Sequence, residues 1–113
     1  MDLSLTEDQA MIQDMAAKFA QTELAPVAEK LDQQGDRELF LTNLKKLADL
    51  GFMGLNVGSQ YGGTEAGTIV FSLAMTEIAR ACASTAVTMS VTNMVGEVIE
   101  SVASEEQKNK YLP

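Results

Sequence analysis

The sequence contains no histidine and no tryptophan, a single cysteine, two prolines and only six aromatic residues, four Phe and two Tyr. Each shortage excludes something. Without histidine, the commonest general base and the commonest metal ligand are both missing. One cysteine and no histidine cannot assemble a zinc site, and no run of Asp and Asn closed by Glu resembles a calcium loop. The lone thiol, Cys82, rules out an internal disulfide and suits a reducing compartment. Basic residues are scarce too: 8 Lys and Arg stand against 16 Asp and Glu, a net charge of −8. That balance argues against nucleic acid and against anionic membrane surfaces as partners. No uncharged apolar run approaches the ~18 residues of a membrane span, and the first seven residues lack the basic start and apolar block of a signal peptide. The expectation is a cytoplasmic chain, without a metal, that makes a poor self-contained enzyme.

What is present is aliphatic. The 113 residues are 46% hydrophobic, enough for one domain with a real core and too few for two. Ala, Leu, Met and Val fill that core, a composition favouring helix. Leu5-Thr6-Glu7-Asp8-Gln9 is a capping box with Thr6 as N-cap, and Ile12, Met15, Ala16 and Phe19 continue as a helical stripe. Pro26 should stop or bend that helix, so two consecutive helices are expected, at about 6–21 and 25–33. Asp36 caps a third, with Phe40, Leu44, Leu47 and Ala48 on its apolar face and Gly51 at its C′ position.

Six of the eight glycines fall between Gly51 and Gly67. A phosphate cradle is excluded by the pattern: no G-x-G-x-x-G occurs, and Thr64-Glu65 stands where a phosphate loop needs Lys-Ser/Thr. The stretch reads as a structured loop. Thr68–Ala81 is apolar nearly all round and should be a central helix. Its only charges, Glu77 and Arg80, form an i,i+3 pair. Cys82, with no activating neighbour, reads as a small buried hydrophobe.

The stretch Ser84–Ala103 is the most unusual. Val87, Val91, Met94, Val95, Val98 and Val102 recur at helical spacing, while the remaining positions are small or uncharged (Thr85, Thr88, Ser90, Thr92, Asn93) until Glu97. A simple buried helix and the wall of a ligand site are both compatible with this pattern. An interruption is expected near Gly96. Ser104-Glu-Glu-Gln107 is a second capping box opening a short last helix, and the apolar Tyr111-Leu-Pro113 reads as an end that continues into something else.

Six segments occur together in an order that carries a resemblance: Leu5-Thr-Glu-Asp-Gln9, Leu24-Ala-Pro26, Leu50-Gly-Phe-Met-Gly54, Tyr61-Gly-Gly63, Glu77-Ile-Ala-Arg-Ala-Cys-Ala-Ser-Thr-Ala86 and Ser104-Glu-Glu-Gln-Lys-Asn-Lys-Tyr-Leu-Pro113. Across essentially its whole length the chain resembles the N-terminal helical domain of acyl-CoA dehydrogenases. It departs from many relatives in having Val98 where a helix proline stands and in lacking a proline shortly before Tyr61. The resemblance implies an all-α fold, an orthogonal or up-down bundle of five to six helices with a Gly-rich loop. It also implies a larger flavoenzyme, with a middle β-barrel domain and a C-terminal four-helix domain beyond residues 1–113. That enzyme would oxidise an acyl-CoA to the trans-2-enoyl-CoA with FAD, pass electrons to electron-transfer flavoprotein, and assemble as a homotetramer. The catalytic glutamate and most FAD contacts would lie outside this chain, leaving it without a catalytic residue and unable to bind FAD alone. By the same resemblance Val87, Ser90, Val91, Met94 and Val95 would line the acyl pocket, and the Thr88–Asn93 run is similar to members acting on short or branched chains. Two alternatives stand beside this: a flavoenzyme of the same fold with other chemistry (an acyl-CoA oxidase, nitroalkane oxidase or flavin-dependent monooxygenase), and a free-standing helical interaction domain. The first two readings require an apolar patch to stay exposed along Ser84–Val95.

Overall fold

The computed structural model describes residues 1–113. Six α-helices account for most of it: α1 Glu7–Phe19, α2 Ala28–Gln34, α3 Arg37–Asp49, α4 Thr68–Ala81, α5 Ala83–Val102 and α6 Glu105–Tyr111. There is no strand. Both expected capping boxes form. The Thr6 hydroxyl accepts the Gln9 N–H at 3.2 Å while Gln9 Oε1 accepts the Thr6 N–H at 3.0 Å, and Ser104 and Gln107 repeat the exchange at α6. Asp36 caps α3 through the Leu39 N–H, 3.0 Å away. Gly51 follows α3 with a φ of +83°, the left-handed conformation expected of a glycine past a helix end.

The expected stop or bend at Pro26 is present: two separate α-helices, α1 and α2, flank it. After α1 the chain passes through a π-helical turn, Ala20–Leu24, and one 3₁₀ turn, Ala25–Val27, before α2 begins. The Ala25 N–H reaches back to the Ala20 carbonyl, a wider turn that takes the chain past the prolyl ring while staying helical. The expected interruption near Gly96 is absent: α5 runs unbroken for 20 residues. Gly96 serves packing instead. A Cβ built there would stand 2.8 Å from Cγ2 of Val57, so the glycine admits a side chain of the Gly-rich loop against the helix.

Helix α4 is central, as its all-round apolarity implies, packed between α1 and α5. Val70, Ala74 and Ile78, spaced by four, are its buried row, and Ala16, Phe19, Ala20 and Leu24 face them from the first helical segment. Leu47, Phe52, Leu55, Cys82, Ala86 and Met89 complete the core. That core is thin. Only 18 of 113 residues are buried, and the molecule is a slab of 42 × 39 × 19 Å. The short dimension is about two helix diameters, each ~10 Å. A two-layer slab of this size covers one face of each helix and leaves the other open.

The open face of α5 is the apolar one. Val87, Val91, Met94, Val95, Val98 and Val102 are all exposed, from 46% for Val95 to 77% for Val102, whereas Thr85, Ala86, Met89 and Asn93 are buried. The valine stripe therefore points away from the core. Two substitutions test this assignment by chemical denaturation. Met89→Ala is expected to cost about 2–5 kcal/mol through its cavity, while Val98→Thr should stay within about 0.5 kcal/mol as a surface change.

Candidate functional site

Asn93 anchors the site. Its side chain is 1% exposed and fully used: Oδ1 accepts the Leu55 N–H at 2.8 Å, and Nδ2 donates to the Phe52 and Met89 carbonyls, both at 2.9 Å. A buried amide is tolerable only when its hydrogen bonds are made, and here two of the three go to loop backbone at Phe52 and Leu55. One turn along, Glu97 receives the Asn56 amide. Further on, Glu100 accepts the Gly58 N–H at 3.0 Å. Positions 93, 97 and 100 share one side of α5, and each holds a successive piece of the Gly-rich loop.

The loop also holds itself. Thr64 N–H donates to Gly54, Glu65 N–H to Val57 and Ala66 N–H to Leu55, at 2.9, 3.1 and 2.7 Å. This folding brings Gly63 onto the Val57 carbonyl, where an added Cβ would sit only 2.0 Å from the oxygen. No other residue fits there. Glu65 adopts φ +51° without being glycine, and its carboxylate accepts the Ser59 N–H at 3.1 Å. The Tyr61 hydroxyl of the loop donates to Glu105 of α6 at 3.5 Å, and Lys108 pairs with Glu105 at 3.1 Å.

Between this loop and α5 runs an open groove of about 770 Å³, lined largely by apolar groups including Met53, Val57, Val91, Val95 and Ile99, with Leu112 at its end. A second groove of about 300 Å³ lies between α4 and α5, over Met75, Ala79, Val87, Ser90 and Val91. The five residues expected to line one pocket thus divide. Val91 and Val95 face the first groove; Val87, Ser90 and Val91 face the second; Met94 stands exposed and lines neither. Val91 is the ridge they share. The hydroxyls of Thr88 and Thr92 donate to the Ser84 and Thr88 carbonyls at 3.0 and 2.9 Å, so both donors are satisfied within the helix.

Sequence reasoning missed the anchoring role of Asn93 and Glu100. The only hint was spacing: Asn93, Glu97 and Glu100 recur at helical intervals opposite the valine stripe. It also assigned Glu77 and Cys82 well. Glu77 pairs with Arg80 at 3.2 Å on α4, and Cys82 is buried, accepting the Thr85 hydroxyl at 3.2 Å.

The loop offers no seat for a phosphate. Its Gly58 and Ser59 N–H groups are already taken by the carboxylates of Glu100 and Glu65, which would repel an anion. No group of three or more His, Cys, Asp or Glu side chains is placed to hold a metal, and no helix is long and apolar enough to cross a membrane.

The class follows from fold and sequence together. Residues 6–113 match the family model described as acyl-CoA dehydrogenase, N-terminal domain, and the chain belongs to that family. Acryloyl-CoA reductase (NADH) of Anaerotignum propionicum is 35% identical over 100% of the chain and 28% of its own length. Among solved structures, butyryl-CoA dehydrogenase of Megasphaera elsdenii superposes with a TM-score of 0.84 at 32% identity, covering 99% of this chain and 30% of that one. A chain in a structure described as the electron transferring flavoprotein of Acidaminococcus fermentans gives a TM-score of 0.84 at 36% identity, covering 99% and 29%. The chain thus spans under a third of the length of these relatives.

Glu65 supplies a pH test. The Ser59 backbone and hydroxyl hydrogen bonds hold its carboxyl below the ordinary glutamate value of 4.5. A depressed carboxyl stabilises above its unfolded value and loses that contribution as pH falls through the lowered one. Protection of the Ser59 amide against hydrogen exchange is accordingly expected to hold at pH 6 and to fall as the solution is taken below about 4. Glu65→Gln should flatten that dependence.

Proposed function

We propose that this chain is the N-terminal domain of an FAD-dependent acyl-CoA dehydrogenase, which removes hydrogens from the α and β carbons of an acyl-CoA to give the trans-2-enoyl-CoA. The observation that carries this reading is the outward valine face of α5. Exposed apolar patches of this extent mark a binding surface, and the family relationship supplies the occupant, an acyl chain. The role of the chain is to wall the acyl pocket, with Val87, Ser90, Val91, Met94 and Val95 as the substrate-facing residues. Chemistry and flavin binding belong to a middle β-barrel domain and a C-terminal helical domain, consistent with the carboxylate-filled Gly-rich loop. The FAD supplies a hydride acceptor in such enzymes; this chain's own residues exclude water and set pocket volume. Electron-transfer flavoprotein is the proposed electron acceptor, supported by the Acidaminococcus fermentans similarity. A homotetramer in the cytoplasm is the proposed assembly and location, the latter in keeping with a buried, unpaired Cys82.

The acyl chain we propose is short. The relatives named above act on acryloyl and butyryl groups by their names. The test is a chimera in which this chain replaces the N-terminal domain of the Megasphaera elsdenii butyryl-CoA dehydrogenase. It should purify yellow and lose its flavin absorbance on addition of butyryl-CoA, while the chain alone should be colourless. Val91→Phe in the chimera is expected to raise KM for butyryl-CoA about tenfold, the effect of one or two methylenes of volume, with flavin content unchanged. A flavin-loaded preparation of the chain alone, or a yellow chimera inert to every acyl-CoA, would overturn the proposal.

A further inference from the structure

The Gly-rich loop has two differently built attachments to α5. Its inner end, Phe52 to Leu55, is held by the buried amide of Asn93, with both loop residues about 1% exposed. Its outer arm, residues 56–63, contributes Val57, Tyr61, Gly62 and Gly63 to the larger groove, and it meets α5 through carboxylates at a partly open surface. The contact at Gly58 is the closest fitted of these. Oε2 of Glu100 accepts the Gly58 N–H at 3.0 Å, and Oε1 lies where a Cβ on residue 58 would come within 2.6 Å. A Cβ there would make the carboxylate end shift. The arm's own hydrogen bonds radiate from the same residue: Tyr61 and Gly63 N–H groups both donate to the Gly58 carbonyl, at 3.0 and 3.2 Å. Moving Gly58 therefore moves the whole arm. At the other side the hydrogen bond from Lys108 to Glu105 favours the protonated form of the lysine, with a smaller contribution from the Glu100 carboxylate. The lysine offsets the acids gathered there.

We propose that Glu100 is a positioning residue: by accepting the Gly58 N–H it latches the 56–63 arm against α5 and sets the width of the groove along Val91, Val95 and Ile99. Asn93 fixes where the loop begins, and Glu100 fixes how closely it lies. A charge-assisted hydrogen bond at a partly open edge is strong enough to favour the closed arm, and it can be broken without opening the buried core. The inference concerns the shape of the groove and holds for any apolar occupant.

Amide hydrogen exchange followed residue by residue by NMR tests it. Glu100→Ala is expected to speed exchange at Gly58, Tyr61, Gly63 and Glu65 by about tenfold, the equivalent of one such hydrogen bond, while Leu55 and the amides of α4 stay as protected as before. Glu100→Gln keeps an acceptor oxygen and should restore most of the protection. Unchanged protection at Gly58 in Glu100→Ala would overturn the proposal. So would acceleration of Leu55 and α4 by the same factor, which would mean general loosening. The experiment contains neither flavin nor acyl group, so its failure leaves the proposed enzyme function standing, and failure of the chimera leaves the latch standing.

Discussion

One buried amide fixes the relation between loop and helix on which everything else depends. Asn93 binds the backbone of residues 52 and 55 from the face of α5 that turns toward the core. Backbone polar groups in a loop that packs against a hydrophobic core need partners, and a hydrocarbon side chain cannot supply them. Once Asn93 occupies the inner face, the orientation of a 20-residue helix is set. Its valines have only the outside to occupy, and the open grooves beside them follow from that rotation.

This arrangement reverses the usual amphipathic logic. Helix α5 buries Thr85 and Asn93 along with Ala86 and Met89, and it exposes six valine and methionine side chains. At about 25 cal/mol per Å² of apolar surface, leaving such a face in water forgoes stabilisation that an ordinary surface helix would not forgo. The slab shape has the same meaning. Two helical layers protect a narrow core, and the remaining apolar surface is open for something else to cover, which the proposed function assigns to an acyl chain and further domains.

Local features of the fold were legible in the sequence because their signals are local. Capping boxes at Thr6 and Ser104, the Asp36 cap, the glycine after α3 and the all-round apolarity of α4 each rest on residues within one or two turns of one another. The interruption expected at Gly96 was the misreading: glycine weakens helix when considered alone, but Val57, distant in sequence, accounts for it here. The stop or bend expected at Pro26 takes the form of a π turn and a 3₁₀ turn between α1 and α2. The site was legible only in outline. The stripe of Val87, Val91 and Val95 was visible as a pattern, but periodicity does not say which of two opposite faces is inside. That is decided by the loop, through Asn93, Glu97 and Glu100, across about forty residues of chain.

The most direct test of this account is the stability and loop protection of Asn93→Leu, a change that keeps the branching and heavy-atom count of the side chain and adds apolar character to a buried site. If burial of hydrocarbon set the orientation of α5, leucine would be tolerated or stabilising. If the amide sets it, two loop backbone groups lose their partners at about 1–3 kcal/mol each. The account predicts a loss of at least about 2 kcal/mol in chemical denaturation, with exchange at Leu55 accelerated alongside it. A variant as stable as the parent, with Leu55 still protected, would contradict it.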